Sequence, residues 1–351
     1  MFEYIIYFLL SIISLFIILL IPLLYIYYKW TFIEKKKIET KLSNFNSIQI
    51  NSFDNYKILN PYQVNGNYYK AQIHAHTNKS DGKLSPQKVV QLYQEHNYNF
   101  LAITDHDQIT KYNLPDNNNL ITIKGEEMTY PNPFWPCGEH MGRLFVDNQL
   151  QHGTIQERIK QTVNEDGIVI INHPSSLSNI GTQQWQIDQL TEINELFLIE
   201  VVNHYSSTEK NLQYWHALLK HFGPQNPIWA VGGDDSHSKD TIDNVFIMVK
   251  LNHFNKKSFK NALINGNLYI SQGPLVQFGY DKNGVFAKAK KTSEIKFIDA
   301  DFNILKKKKD TKTSYQPEGK EGFIRIEIKE LKNGKKAWSQ PFWIEKSDSL
   351  N

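Results

Sequence analysis

From Tyr68 onwards, the sequence alternates short apolar runs with longer segments in which apolar residues recur every three or four positions. Seven apolar runs have the length of a strand: YKAQIHAH, FLAITDH, ITIKGEE, MGRLFVD, GIVIINH, LFLIEVVN and IWAVGGDD. Helical patterns lie between several of them. The clearest is SPQKVVQLYQEHN, because Ser85 can cap its first turn and Pro86 suits the first helical position. This alternation predicts a parallel sheet closed into a barrel, with one strand fewer than the usual eight.

The pattern changes near residue 275. A helix in KKSFKNALINGN and a strand in YISQGPLV complete the barrel, which we place at residues 67–274. Beyond it, VQFGYDKNGVFAKA, SEIKFIDADFNILKK, GFIRIEIKELKNG and KKAWSQPFWIE alternate apolar and polar residues, and two Lys-Asn-Gly turns interrupt them. We therefore predict a small antiparallel β domain over residues 275–351, with Lys306–Lys309 at a solvated hairpin end.

An uncharged apolar run extends from Ile5 to Tyr27, long enough to span a hydrocarbon core of ~30 Å. A secretory signal peptide is the competing interpretation, but the front of the chain lacks a basic region and the exit YIYYKW lacks a small-residue cleavage site. We predict an uncleaved single-pass membrane anchor over residues 1–28 and a polar linker over residues 29–66. The lysines directly after the run place the rest of the chain in the cytoplasm by the positive-inside rule, and an extracytoplasmic orientation is the alternative.

Charge and cysteine content exclude some classes of function. The 351 residues include 39 basic and 36 acidic side chains, so the formal net charge is only +3. This near balance argues against a stable complex with nucleic acid held by bulk charge. The single cysteine, Cys137, excludes an intrachain disulfide and a cysteine-rich zinc site.

Potential metal ligands stand at the ends of the first two strand runs. His74 and His76 are two residues apart, so on a strand both imidazoles point to the same face. Asp81 follows in the turn SDG, and His106 ends the second run. Nitrogen and oxygen donors of this kind suit Mn, Fe or Zn.

Further donors accompany the later runs, namely Glu127, His140, His173, Asp235 and His237. A barrel builds its site from residues at the carboxyl ends of its strands, so their recurrence there favours one shared site. His140 fits this pattern least well, because it precedes the strand predicted for MGRLFVD. Taken singly, each of these residues would more simply be a hydrogen-bonded polar side chain.

The motifs His-Ala-His-Thr, Ser-Asp-Gly, Thr-Asp-His, Gly-x-Glu, Asn-His-Pro and Asp-x-His occur in this order between Tyr68 and Pro274. In this respect, the chain resembles the polymerase and histidinol phosphatase (PHP) superfamily of metal-dependent phosphoesterases. The resemblance implies a distorted seven-stranded β/α barrel, in agreement with the strand count, and a C-terminal β module is frequent in members of similar length.

The resemblance also implies how the donors are used. The Gly-x-Glu and Asp-x-His patterns select Glu127 over Glu126 and Asp235 over Asp234, and adjacent strand residues face opposite ways, so one of each pair can join the cluster. Similarity to members with three metal ions implies two to three divalent ions (Mn, Zn or Fe) in three ligand sets: His74, His76, Glu127 and Asp235; Glu127, His140 and His173; and Asp81, His106 and His237.

The expected activity is hydrolysis of a phosphate ester, either a small phosphomonoester or a nucleotide. Several divalent ions outweigh the three carboxylates, attract phosphate, and turn a bridging water into a nucleophile. Glu127 and Asp235 would then be catalytic through the ions they hold. His204, just after LFLIEVVN, is a candidate for protonating the leaving group, and Arg143 is a candidate for contacting phosphate.

Two alternatives stay open. One is a nuclease of the same superfamily that trims short oligonucleotides. The other is a non-catalytic, metal-containing binding or regulatory module, which nine intact donors disfavour.

Overall fold

The computed structural model describes residues 56–112, 119–131, 138–150, 152–176 and 184–346. The predicted membrane anchor lies outside these residues, as does the part of the predicted linker that precedes residue 56. Within the described ranges, no helix is both long enough and apolar enough to cross a membrane. All described residues belong to one compact unit, Ile48–Asn351.

The strands of the described residues form one mixed sheet. In chain order, they are β1 (Tyr56–Leu59), β2 (Asn67–Gln72), β3 (Phe100–Ile103), β4 (Ile121–Pro131), β5 (Gly138–Leu144), β6 (Ile168–Ile171), β7 (Phe197–Asn203), β8 (Trp229–Gly233), β9 (Phe246–Leu251), β10 (Leu268–Ser271), β11 (Val276–Asp281), β12 (Gly284–Asp299), β13 (Ile304–Tyr315), β14 (Phe323–Glu330), β15 (Lys336–Trp338) and β16 (Phe342–Lys346).

Helices connect many of the first ten strands. Those in the described ranges are α1 (Pro86–Glu95), α2 (Ile155–Asn164), α3 (Ile187–Thr191), α4 (Thr208–Phe222), α5 (Lys256–Ile264) and a 3-10 turn at Lys239–Thr241. The predicted cap of α1 is present, since the Ser85 hydroxyl accepts a hydrogen bond of 3.3 Å from the Lys88 N–H. The apolar stripe of α1, which includes Val89, Val90 and Tyr93, is buried as its periodicity predicts.

The seven predicted strand runs are strands β2 to β8, and they lie side by side in chain order. The prediction of a fully parallel sheet is wrong at β5, which is antiparallel to both β4 and β6. The reason is the length of the connection. Only six residues separate Pro131 from Gly138, whereas a parallel crossover needs a dozen or more.

The first and last of these seven strands meet at their carboxyl ends. The His76 N–H donates to the Ser236 carbonyl at 2.9 Å, and the Asp235 N–H donates to the His74 carbonyl at 3.0 Å. The seven strands therefore return on themselves, and we call them the seven-stranded ring. Three of the four residues in these closing bonds, His74, His76 and Asp235, are predicted to bind metal.

The sheet continues beyond β2 on its other side. β9, which the sequence pattern did not reveal, is antiparallel to β2, and β10 and β15 follow it. The C-terminal strands are antiparallel as predicted, but they extend the same sheet. Both Lys-Asn-Gly turns are present, and Gly284 takes the left-handed conformation (φ 100°) that the first of them requires.

The lysine run Lys306–Lys309 is exposed and adjoins the β12–β13 hairpin turn, as predicted, but it lies within strand β13 and not in the turn itself. β13 pairs with β12 along one side, and no described strand pairs with its other side. All four lysines are exposed. β13 is therefore an edge strand lined with positive charge.

A buried ion pair joins β4 to β5. Glu126 and Arg143 lie directly opposite each other in the strand register, and Arg143 Nη1 donates to Glu126 Oε1. Arg143 Nε also donates to Thr162 Oγ1 of α2 at 2.7 Å. Both charged residues are shielded from solvent, so each depends on the other for compensation.

Replacing Arg143 with Met should lower the free energy of unfolding by about 3–5 kcal/mol, because Glu126 then stays buried without its partner. Urea denaturation measures this loss. The double variant Arg143→Met/Glu126→Leu removes both charges and should recover most of the stability. A loss below about 1 kcal/mol in the single variant, or no recovery in the double variant, would contradict the assignment.

Candidate metal centre

Glu127 is the centre of the donor cluster, and its two carboxylate oxygens face different histidines. Oε2 lies 3.2 Å from His74 Nε2 and 3.1 Å from His76 Nε2. Oε1 lies 3.2 Å from His140 Nδ1 and 3.1 Å from His173 Nε2. Each oxygen thus has its own pair of imidazoles at 3.1–3.2 Å, so the residues on the two sides of Glu127 would hold separate cations.

Asp235 completes the first of these groups. Its Oδ1 lies 3.3 Å from His74 Nε2 and 3.0 Å from His76 Nε2. The ligand atoms of His74, His76, Glu127 and Asp235 all lie within 4.8 Å of one another. The structure therefore brings together the first of the three predicted ligand sets.

The third predicted set also gathers, nearer to solvent. Asp81 Oδ2 lies 3.1 Å from His237 Nε2 and 3.5 Å from His106 Nε2. The side chain of Asp81 is 52 % exposed, whereas that of Glu127 is 1 % exposed. A molecule that enters from solvent would therefore contact this third set before it reaches Glu127.

The groups are less separate than predicted. His106 faces two of them, because its Nδ1 lies 3.5 Å from Glu127 Oε2 while its Nε2 faces Asp81. Its ligand atom also falls within 4.8 Å of those of Glu127 and His140. His76 likewise faces Glu127 through Nε2 and Asp81 through Nδ1, the latter at 3.6 Å. Two imidazoles thus stand between neighbouring groups.

Local structure explains how the donors converge. His74 and His76 follow β2 and keep its alternation, so both rings enter the same space. His140 lies inside β5 and does not precede it, which corrects the prediction. Because β5 is reversed, its first residues stand at the same edge as the carboxyl ends of its neighbours. His140 therefore reaches the site from the start of a strand.

Unusual backbone conformations occur at two of the donors. His173 (φ 25°) and Asp235 (φ 50°) adopt positive φ angles that side-chain-bearing residues seldom take. Such conformations cost about 1–3 kcal/mol each and persist where the surroundings impose them. Their occurrence at donor residues is typical of a functional site.

The adjacent acidic residues turn away from the cluster. Asp234 accepts hydrogen bonds from three consecutive backbone N–H groups, those of Asp243, Asn244 and Val245, at 2.7–2.8 Å. Burial raises the pKa of Asp234 to about 6. Glu126 pairs with Arg143, as described above. The structure therefore places Glu127 and Asp235, and not their neighbours, among the histidines.

The electrostatics of the cluster call for added positive charge. Burial disfavours a charged His76, yet Asp235 and Glu127 outweigh this effect and raise the pKa of His76 to about 10. Although burial raises the pKa of a carboxyl group, the imidazoles of His74 and His140 hold the pKa of Glu127 well below its usual range. Divalent cations would supply the charge that these carboxylates otherwise draw from protons.

Unpaired buried polar atoms also indicate that the cluster could bind metal ions. Among the described residues, His74 Nε2, His76 Nε2, His106 Nδ1 and Asp235 Oδ1 are buried without a hydrogen-bond partner. Each of these atoms nevertheless lies 3.0–3.5 Å from a ligand atom of a neighbouring donor, imidazole nitrogen against carboxylate oxygen. Buried polar atoms that converge in this way fit the ligands of shared ions, and imidazole with carboxylate suits Mn, Fe or Zn.

The two remaining predicted site residues do not join the cluster. His204 is exposed at the rim, where its ring centroid lies 4.7 Å from that of Tyr205. The Tyr205 ring in turn lies 5.5 Å from that of His237. The prediction that Arg143 contacts phosphate is corrected, because its guanidinium is buried and engaged with Glu126 and Thr162.

Several polar residues that support the donors were not predicted from the sequence. Asn172 Nδ2 donates to Glu127 Oε1 at 2.8 Å, and Asn203 Nδ2 donates to Asp235 Oδ2 at 3.1 Å. Asp105 accepts from the Thr77 N–H at 2.6 Å and from the Ser80 hydroxyl at 2.9 Å, which holds the turn before Asp81. Glu200 contacts His74. A charged residue inside the apolar run LFLIEVVN was the available signal for it.

Comparisons with known proteins give distant fold likenesses. No protein-family model matches the sequence, and no curated protein sequence matches it. The chain is similar to a two-domain protein from Bacteroides vulgatus that contains a predicted PHP-like metal-dependent phosphoesterase, with 14% identity and a TM-score of 0.47 over 84% of this chain and 89% of that one.

Two further solved structures are similar over about half of this chain. A candidate metal-dependent phosphoesterase from Bifidobacterium adolescentis has 14% identity and a TM-score of 0.37 over 49% of this chain and 93% of that one. An amidohydrolase from Chromobacterium violaceum, with bound sulfate and no metal, has 13% identity and a TM-score of 0.35 over 48% and 88%. Because the identities and TM-scores are this low, these likenesses carry no conclusion about function, and the donor residues of this chain are the basis for inferring it.

Replacing Glu127 with Gln should release more than one equivalent of metal per chain, because the variant keeps the shape of the side chain but removes the charge that faces two groups of imidazoles. His237→Ala should release about one equivalent, because His237 belongs to the more exposed set of Asp81, His106 and His237, which we call the outer group. Metal content after loading with manganese and gel filtration measures both.

Glu126→Gln is the matched control, since Glu126 adjoins Glu127 in the chain and is equally buried but faces Arg143. This variant should retain its metal. Full metal retention in Glu127→Gln, with loss in Glu126→Gln, would reverse the assignment of the two residues.

Proposed function

We propose that the chain is a metal-dependent hydrolase of phosphate esters that acts on a small phosphomonoester or a nucleotide. The observation that carries this proposal is the division of one buried carboxylate, Glu127, between two pairs of imidazoles. Divalent ions held there would withdraw charge from a phosphoryl group and lower the pKa of a bound water.

The charge of the site favours an anionic substrate. Three carboxylates, those of Asp81, Glu127 and Asp235, stand among the donors, and the histidines are neutral when they bind metal. Two or three divalent ions would therefore exceed the negative charge of the protein groups. A phosphate group, with its several oxygens, supplies the missing anionic ligands.

The outer group gives the direction of approach. Asp81, His106 and His237 are partly exposed, whereas His74 and His76 are buried. A substrate would meet the outer group first and present its phosphate to the buried groups behind it. The rest of the substrate would then lie at the rim, beside Tyr205 and His204.

We propose His204 as the residue that protonates the leaving group. It follows β7 directly, on the edge where the donors gather, and it is exposed to an incoming substrate. Tyr205 fixes this segment, because its N–H donates to Asn203 Oδ1 at 2.7 Å and Asn203 also contacts Asp235. His204 is thus tied to the metal centre through two neighbours in the chain.

Purified protein loaded with manganese should release phosphate from phosphomonoesters, and a chelator should abolish this activity until manganese is restored. Short oligonucleotides and a phosphodiester form the second arm of the assay. Preferential cleavage of these would establish the nuclease alternative. Absence of turnover on all substrates, with a full metal complement, would establish the non-catalytic module and refute the proposal.

The role of His204 can be tested by varying the leaving group. His204→Ala should lower the rate on an alkyl phosphate about 100-fold, because an alkoxide needs a proton to depart, and should have little effect on p-nitrophenyl phosphate. His253→Ala, which changes an exposed histidine in the segment after β9, is the matched control and should leave both rates unchanged. Equal losses on both esters in His204→Ala would exclude the proton-donor role.

We also propose that the apolar run from Ile5 to Tyr27 attaches this hydrolase to a membrane as a single-pass anchor. The full chain should sediment with membranes, resist extraction by alkaline carbonate, and dissolve in detergent. A truncated chain that starts at residue 29 should be recovered in the soluble fraction. Release of the full chain by carbonate would refute the anchor.

A further inference from the structure

Glu200 is the one charged residue of β7, and its side chain is almost completely buried. It belongs to none of the candidate ligand groups. We propose that Glu200 is a positioning residue that holds one candidate ligand on each side of Glu127, His74 and His173, and would thereby couple the binding of the ions held on the two sides. The inference rests on the metal centre and is independent of whether the proposed ester hydrolysis occurs.

The first contact of Glu200 orients an imidazole. Glu200 Oε1 lies 3.0 Å from His74 Nδ1. A carboxylate accepts, so this contact favours a proton on His74 Nδ1 and leaves Nε2, which faces Glu127 and Asp235, as the nitrogen that would bind a metal ion. Glu200 thus selects the tautomer of His74 that can bind metal through Nε2.

The second contact restrains a backbone. Glu200 Oε2 accepts a hydrogen bond of 3.0 Å from the His173 N–H. His173 has the positive φ of 25° noted above, so its conformation depends on contacts from outside the segment. The same residue places its Nε2 3.1 Å from Glu127 Oε1. Glu200 therefore holds a donor on the second side of Glu127 as well.

A third contact extends this network to Asp235. Asn203 Nδ2 donates to Glu200 Oε2 at 3.0 Å and to Asp235 Oδ2 at 3.1 Å. Three donors, from His74, His173 and Asn203, thus converge on two carboxylate oxygens. An amide in place of the carboxylate has one accepting oxygen, so its NH₂ group would face at least one of these donors.

The surroundings leave Glu200 little freedom to adjust. A Cβ atom added to Gly233 would lie 2.8 Å from Glu200 Oε1 and 2.6 Å from His74 Cβ. The glycine therefore permits β8 to approach both residues closely. Because the side chain is confined in this way, a substitution at Glu200 should shift the positions of His74 and His173.

The test compares Glu200→Gln with the wild type by manganese titration of the metal-free full chain. Glu200→Gln should lower the affinity for the two ions that would be held by the His74 and His173 sides of Glu127 by about 10–100-fold, the range typical of residues that hydrogen-bond to metal ligands. The ion held by Asp81, His106 and His237 should bind as in the wild type. Adding His237→Ala to Glu200→Gln should remove that remaining ion.

Glu126→Gln is the control, because it also replaces a buried carboxylate next to the site but one that faces Arg143. It should keep wild-type metal affinity even if it melts at a lower temperature. Asn203→Ser, a milder change, should weaken the same two ions to a smaller extent, and it serves as the second variant if Glu200→Gln does not fold.

Loss of one ion only in Glu200→Gln would overturn the coupling, and an effect no larger than that of Glu126→Gln would reduce Glu200 to a structural residue. Wild-type affinity in Asn203→Ser would also count against the network. A wild-type chain that releases no phosphate would overturn the hydrolase, whereas selective weakening of two ions in Glu200→Gln would still establish the role of Glu200.

Discussion

The burial of an ionised Glu127 is the constraint on which this structure depends. A carboxylate removed from water is tolerated where cations or strong donors compensate it, and here five imidazoles and the Asn172 amide surround its two oxygens. The strand ends that carry these groups must therefore meet at one point. Backbone hydrogen bonds between the segments that follow β8 and β2 bring these strand ends together. The contacts that close the ring therefore also assemble the site.

The C-terminal region supports the closure of the ring through hydrogen bonds to β8. The Gln340 side chain accepts from the Ala230 N–H at 2.9 Å and donates to the Ala230 carbonyl at 2.7 Å, so it replaces a strand partner for β8. The Gln340 N–H donates to the Tyr62 hydroxyl at 2.7 Å. β8 leads directly into Asp235. The antiparallel strands thus brace the strand that completes the site, which gives a physical reason for their position in the same sheet.

The strand runs and the convergence of the candidate donors could be predicted because both leave local signatures, in apolar periodicity and in residue type. The direction of β5 and the existence of β9 depend on connection length and on partners far away in the chain. Glu200 was missed because metal-ligand motifs describe the residues that touch the ion and not those behind them. Arg143 was misassigned for a related reason: the sequence does not show which face of β5 it occupies, and Glu126 captures it.

The lysine-lined strand β13 has a consequence for the behaviour of the chain in solution. An open sheet edge offers unpaired backbone groups to any extended segment, and two copies could in principle add edge to edge. An antiparallel pairing centred on Lys306–Lys309 would bring these residues of one copy against the same residues of the other, at the spacing of neighbouring strands. Like charges at that distance repel, so the edge resists self-association. The charge on this edge therefore opposes growth of the sheet from one copy into the next.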